Sequence, residues 1–285
     1  MPIRDAHLLR CPNCDASLEQ RDKVLRCSNG HDFDIARQGY VNLTASRGVK
    51  KAPDTAEMVA ARERFLEAGY YDPLLDRISG LVSVGLNELE AGTRNVIDVG
   101  CGPGFYLKRI LAHDRIGGGE VVEGVAGVDL SKAAVRRAAS ELRGGLFVVA
   151  DVEEGIPVAS GGFGVVLSVF APRPVPELRR IVRDDGRLVL AAAGPAHLRE
   201  LREELGLLEV HADKEERLVR QLSGAFSVEH VDRLGFTLEP DERQARDLVA
   251  MGPNFWHRNK SPAAPRAMEV TADFLILVAR PNLFK

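Results

Sequence analysis

Three cysteines and a histidine stand close together near the front of the chain, in CPNCDASLEQRDKVLRCSNGH from Cys11 to His31. The spacing is C-x2-C, twelve residues, then C-x3-H. Two closely spaced pairs of soft or borderline donors are what a tetrahedral zinc ion takes. Pro12 and Asn13 inside the first pair, and Ser28, Asn29 and Gly30 inside the second, suit tight turns. KVLRC between them reads as a strand leading into the second turn. Cys11, Cys14, Cys27 and His31 are therefore expected to close around one structural Zn2+ per chain. Four protein ligands leave no open position for chemistry, so the role is folding and recognition. A redox C-x2-C pair would need a βαβ pattern beside it, which the sequence lacks there. His7 falls outside the spacing and is read as solvent-facing.

A second stretch, VIDVGCGPGF, places Asp98, Gly100, Gly102 and Gly104 at every second residue where a strand becomes a helix. Glycines there let a loop turn tightly and let backbone approach a ligand. Phe105 stands where a dinucleotide fingerprint needs its third glycine or alanine, and the phosphate-loop G-K-[ST] ending is missing. The next apolar run ends in Asp129 and the one after it in Asp151. An acid at the second strand's end is placed to accept the two hydroxyls of a ribose. Asp151 is placed to accept an adenine amino group, and Asp98 to hold an ammonium. Adenosine joined to an amino acid satisfies all three, and that molecule is S-adenosylmethionine. Each acid alone would be an ordinary solvated strand end; the loop and three acids in order make a methyl-donor site.

The elements that must position these groups follow from periodicity. Asp54, with Glu57 three residues on, is expected to cap a helix to about Ala68, and Pro73 to open a second one to about Leu89. From residue 94, RNVIDVG, VEGVAGVDL, LFVVAD, FGVVLSVF and RLVLAAAG are short apolar runs. Helical patterns separate several of them, including SKAAVRRAASEL with Ser131 as its cap and PVPELRRIVRDDG. This alternation predicts a doubly wound, mostly parallel α/β sheet. SVEHVDRLGFTL and EVTADFLILVAR predict antiparallel strands at its C-terminal end, with DERQARDLVAMG helical between them. The glycines at 117–119 predict a flexible loop. Residues 1–40 are expected to form the zinc module, 41–53 a polar, basic linker and 54–285 the catalytic domain. The chain has 285 residues and a formal net charge of −3, so overall charge does not advertise a polyanion partner. It carries no apolar run of membrane-spanning length and no signal-peptide pattern, which predicts a cytoplasmic protein without membrane contact.

The zinc spacing, HDFDIARQGYVNL, DTAEMVAARERFLEAGYYDPL, DVGCGPGF, VFAPRPVPELRRIVR, AAAGPAHLREL and VAMGPNFWH together resemble the bacterial 23S rRNA (guanine-N1)-methyltransferases of the RlmA (RrmA) type, nearest their tylosin-resistance branch. The resemblance covers nearly the whole chain. It implies a class I (Rossmann-like) methyltransferase fold behind a zinc-binding RNA-recognition module. It also implies methylation of guanine N1 in a 23S rRNA hairpin near the peptide exit tunnel, a bearing on tylosin-type macrolides, and a homodimer. Carried over by motif, the donor would touch Tyr71, Gly104, Phe105 and His197. On the residues alone, Tyr71 reads as core and His197 as a helix-start residue. AHDRIGGGEVVEG departs from the family in being longer and richer in glycine.

The loop after the fourth core strand, VFAPRPVPE, should face the target base, since it adjoins the donor edge of the sheet. There Phe170 is a candidate to stack on the base, and Arg173 to hold a phosphate or the O6 edge. Arg10, Arg21, Lys23, Arg26, Arg37, Arg47, Lys50 and Lys51 are candidates for phosphate contacts, although singly each is more ordinary as solvated surface. Trp256 and His257 are further candidates to reach RNA. Guanine N1 carries a proton at neutral pH, so a nearby carboxylate or imidazole is expected to accept it. The competing reading is a small-molecule methyltransferase whose zinc module is purely structural.

Overall fold

The computed structural model describes residues 5–45, 52–116, 121–207, 211–252 and 266–283. The expected loop at 117–119, Arg47, Lys50, Lys51, Trp256 and His257 lie outside the described residues.

The front of the chain is a small ribbon. β1 (Leu18–Arg21), β2 (Val24–Cys27) and β3 (Asp32–Asp34) pair antiparallel in that order. Three short strands have no core of their own. Leu9, Leu18 and Leu25 are instead buried in one apolar cluster with sheet residues such as Ile97, Val148 and Leu188.

β4 (Tyr40–Asn42) then pairs parallel with β7 (Leu146–Val149) and becomes an edge of the main sheet. The stretch expected as a linker from residue 41 thus opens inside the sheet. Tyr40 and Val41 are both buried, which outweighs the polar texture of the residues that follow.

Helices α1 (Ala56–Glu67) and α2 (Asp72–Asn87) come next, and the two-fold winding follows. It runs β5 (Asn95–Val99), α3 (Phe105–Ile116), β6 (Gly124–Asp129), α4 (Lys132–Glu141), β7, β8 (Phe163–Val169), α5 (Val175–Ile181) and β9 (Val182–Ala193). α6 (Arg199–Leu205), α7 (Lys214–Leu222), β10 (Phe226–Leu238), α8 (Glu242–Ala250) and β11 (Val270–Pro281) complete the chain. The sheet order is β10-β11-β9-β8-β5-β6-β7-β4. β11 runs antiparallel to both its neighbours, and the other pairings are parallel. The predicted doubly wound sheet with an antiparallel C-terminal part is therefore present. Successive strand residues feed opposite layers: Val96 and Val165 pack under α2, while Ile97 and Val166 pack toward the ribbon.

Two local expectations differ. Thr55, not Asp54, caps α1, its hydroxyl accepting the Met58 N–H at 3.2 Å. Asp54 is drawn away into an ion pair with Arg62 at 2.6 Å. The helical reading of PVPELRRIVRDDG stops at Ile181, because Val182 pairs with Phe163 and starts β9. Ser131 caps α4 as expected, at 3.4 Å from the Ala134 nitrogen.

Candidate functional site: a metal clip and a donor crevice

The four predicted ligands meet. Cys11 Sγ, Cys14 Sγ and Cys27 Sγ lie 3.4, 3.6 and 3.3 Å from His31 Nδ1, and Cys14 and Cys27 Sγ are 3.8 Å apart. A regular tetrahedron with Zn–S of about 2.3 Å and Zn–N of about 2.0 Å has S···S edges near ~3.8 Å and S···N edges near ~3.5 Å. The donor set therefore has the size of a zinc site. The His31 backbone N–H donates to Cys27 Sγ at 3.3 Å, a contact that favours the thiolate. Cys101, the fourth cysteine, is buried in the glycine loop far along the chain and takes no part in the cluster.

The glycine loop sits at the carboxyl end of β5, where the strand order reverses between β6 and β8. In open α/β sheets this is the ligand crevice. Gly100 has φ +82°, and a Cβ there would stand 2.4 Å from Ala171 Cβ. Gly104 also has φ +82°, and a Cβ there would stand tightly, at 3.0 Å, against Ala138 Cβ. Phe105 begins α3 directly behind the loop.

The three acids occupy successive strand ends, as expected. Asp129 accepts the Gly102 N–H at 2.9 Å through one oxygen and the Ser131 N–H at 2.7 Å through the other. Burial nevertheless raises its pKa, against those two bonds and the Arg62 charge. Asp98 is buried, and among the described residues neither carboxylate oxygen has a hydrogen-bond partner. Burial, and after it the Asp129 charge, pushes the Asp98 carboxyl well above the usual carboxylate range. A buried, unpartnered carboxylate is what an ammonium ligand would satisfy. Asp151 accepts the Glu153 N–H at 3.0 Å and borders a cleft of about 430 Å3 between ribbon and sheet. In that cleft Arg180 and Glu177 pair at 2.7 Å and bond the backbone of Ile156 and Val158, so they act as a seam.

An aromatic cluster closes the other side. Tyr71 is fully buried and packs edge-on against Phe65 and Phe274, at 5.1 and 5.0 Å between ring centres. His197 precedes α6, and its Nε2 lies 3.4 Å from the Tyr71 hydroxyl. The Asp273 N–H donates to His197 Nδ1 at 3.3 Å, so the imidazole carries its proton on Nε2. Burial, then the Arg202 charge, lowers its pKa to about 4 and keeps it neutral. Both ring nitrogens of His197 are thus engaged, one with Tyr71 and one with the Asp273 backbone. Phe170 lies nearly parallel to His197, is 43% exposed and holds φ +53°. That left-handed backbone costs a residue with a Cβ about 1–2 kcal/mol. The Phe170 N–H, bonded to the Ala191 carbonyl at 2.9 Å, helps hold it there. Arg173, three residues on, is half-buried, and its Nε has no partner.

Arg62 is not marked by any motif in the sequence. Its guanidinium covers Gly102, pairs with Asp54 and donates to the Met251 carbonyl at 2.6 Å, which ties α1 and the end of α8 over the loop. In sequence it is one more arginine on an amphipathic helix, and its partner is far away in the chain. Phe274 was likewise legible only as a strand residue. Among the module's candidate RNA contacts, Arg26 is bound to Asp32 at 2.5 Å and Arg10 caps its own backbone carbonyls.

Comparison with known proteins agrees with this layout. The RlmA N-terminal zinc-ribbon family matches residues 9–45, and a methyltransferase domain family matches residues 96–189. A 23S rRNA (guanine(748)-N(1))-methyltransferase of Streptomyces fradiae is 42% identical over 280 residues, covering 96% of each chain. A Micromonospora griseorubida protein named for guanine-N1 methylation of 23S rRNA is 36% identical, covering 95% of this chain and 94% of its own. A Bacillus subtilis protein named for the same reaction is 31% identical, covering 96% and 97%. With the zinc-ribbon match, the methyltransferase-domain match and near full-length identity in agreement, the chain belongs to the 23S rRNA (guanine-N1)-methyltransferase family, as a SAM-dependent enzyme with an RlmA-type zinc ribbon.

Proposed function

We propose that this protein methylates N1 of a guanine in the 23S rRNA hairpin near the peptide exit tunnel. The observation that carries the reading is the contact between Gly100 and Ala171. It seats the donor loop directly against the loop that presents Phe170, so one crevice has a donor side and a base side.

The residues suit S-adenosylmethionine. Asp98 offers an unpaired buried carboxylate to the ammonium, Asp129 the strand-end acceptor for ribose hydroxyls and Asp151 the acceptor for the adenine amino group. Gly100, Gly102, Gly104 and Phe105 line the turn on which the donor rests, and Tyr71 with His197 closes it. Bound there, S-adenosylmethionine supplies an electrophilic methyl group on a sulfonium centre. Phe170, held out by its strained backbone, provides a face for a guanine displaced from its stack. Positioning of this kind is expected to supply much of the rate. One zinc ion per chain would hold the ribbon that grips the RNA outside the crevice. The homodimer, the cytoplasmic location and the bearing on tylosin-type macrolides belong to the same reading. They rest on the family's substrate and, for the dimer, on the need to gather basic residues in a chain of net charge −3.

The test is transfer of labelled methyl from S-adenosylmethionine to unmodified 23S rRNA, followed by nucleoside analysis. The expected product is 1-methylguanosine. Label on a small molecule and none on RNA, with donor binding intact, would replace this reading with that of a natural-product methyltransferase.

A further inference from the structure

The ribbon's arginines are largely committed to their own module, yet α7 carries cations that are not. Lys214, Arg217 and Gln221 recur at i, i+3 and i+7, so they share one face of the helix. Gln221 Nε2 donates to the Arg173 carbonyl at 3.4 Å, which turns that face toward the loop carrying Phe170 and Arg173. Arg173 is half-buried; among the described residues its side chain bonds the Ala171 carbonyl through Nη1 at 3.3 Å and leaves Nε buried without an acceptor. Among the described residues no carboxylate pairs with Arg173, Lys214 or Arg217. Of the acids on α7, Glu215 is bound to Arg233 at 2.6 Å, and Glu216 projects from the opposite side of the helix. Burial and the charges of Arg173 and Arg217 all depress the Lys214 pKa, the behaviour of gathered cations without a counter-charge. Elsewhere the surface pairs its arginines freely, as in Arg64–Asp247 and Arg137–Glu63. An unneutralised, partly desolvated cluster is costly unless the working complex supplies an anion.

We infer that Arg173, Lys214 and Arg217 form a phosphodiester-binding subsite that grips the RNA backbone next to the base presented to Phe170. The inference rests on the RNA reading above. The subsite would set the register of the strand beside the crevice, as phosphate contacts do, and leave identification of the base to the crevice itself. It also resolves the mismatch between a negative net charge and a polyanionic substrate, because a few uncompensated cations at the point of chemistry suffice.

The experiment compares the full chain with its Lys214→Ala/Arg217→Ala variant, binding a 23S hairpin fragment over a range of salt concentrations. Both residues lie at the surface of a helix, where alanine is well tolerated. S-adenosylmethionine affinity is measured in parallel. The variant is expected to bind RNA at least ~tenfold more weakly, with a log K against log salt slope shallower by roughly 1–2. Its donor affinity should match that of the unaltered chain. Equal RNA affinity and equal slope would overturn the subsite while leaving the RNA reading in place. A loss of donor affinity would overturn it too, by reassigning the cations to the donor. Failure of the unaltered chain to bind the hairpin would remove the RNA reading itself, and the subsite with it.

Discussion

At the end of β5, Asp98 is buried with both oxygens unbonded, and its carboxyl is held well above the usual carboxylate range by burial and by Asp129. A carboxyl whose folded pKa exceeds its unfolded value of about 3.9 favours folding fully below that value. The benefit is lost as pH rises through the folded pKa. In the donor-free protein, raising the pH from 5 to 8 should therefore lower the melting temperature relative to Asp98→Asn, which cannot ionise there. An ammonium ligand reverses the sign, since it stabilises the ionised form. S-adenosylmethionine should restore the unaltered protein at high pH and do nothing for Asp98→Asn, which should bind no donor. Thermal melts with and without donor check this, and parallel pH curves for the two proteins would contradict it. Residue types and spacing marked Asp98 as a candidate to hold the donor's ammonium. They could not reveal that it would lack a partner, because that depends on what the folded crevice leaves out. His197 shows the same limit: only the fold brings Tyr71 and the Asp273 N–H to its two nitrogens.

The elements of the proposed donor site are the glycine loop after β5 and the loop after β8, and they touch. Gly100→Ala would drive its Cβ into Ala171 from a left-handed backbone. We expect it to destabilise the fold by about 2–4 kcal/mol from clash and strain together, and to abolish donor binding. Adding Ala171→Gly should recover part of the stability, since it removes the clash and keeps the strain. Denaturant melts of the single and double variants read this, and full additivity would deny the contact. Strand–helix alternation made this pair of loops legible, because each is a β-to-α turn on the same edge of a parallel sheet. α7 and β4 were not legible. α7 is short and highly charged, and only the bond from Gln221 to the Phe170 loop gives it meaning. β4 is three residues long and is a strand only because β7 offers it an edge.

Across the whole molecule, the ribbon and the methyltransferase domain share apolar packing. Leu9, Leu18 and Leu25 are buried in the same layer as Ile97, Val99 and Leu190. A three-stranded ribbon without metal has too little core to persist. Stripping zinc should therefore do more than free the ribbon: the melting temperature should fall by more than about 5 °C, and RNA affinity should fall with it. Calorimetry and hairpin binding before and after chelation measure both, and an unchanged transition would mean the ribbon stands without its clip. The sequence shows the ribbon through ligand spacing and the domain through periodicity. It does not show that they pack as one body, since that depends on leucines whose facing is set by the fold. The most direct test of guanine-N1 methylation is primer extension on unmodified 23S rRNA treated with the protein and S-adenosylmethionine. A methyl group on N1 blocks the Watson–Crick edge of guanine, so reverse transcription halts beside it. One donor-dependent stop is expected at a guanine of the tunnel hairpin. Full-length extension through that hairpin, with donor bound and the protein folded, would contradict it.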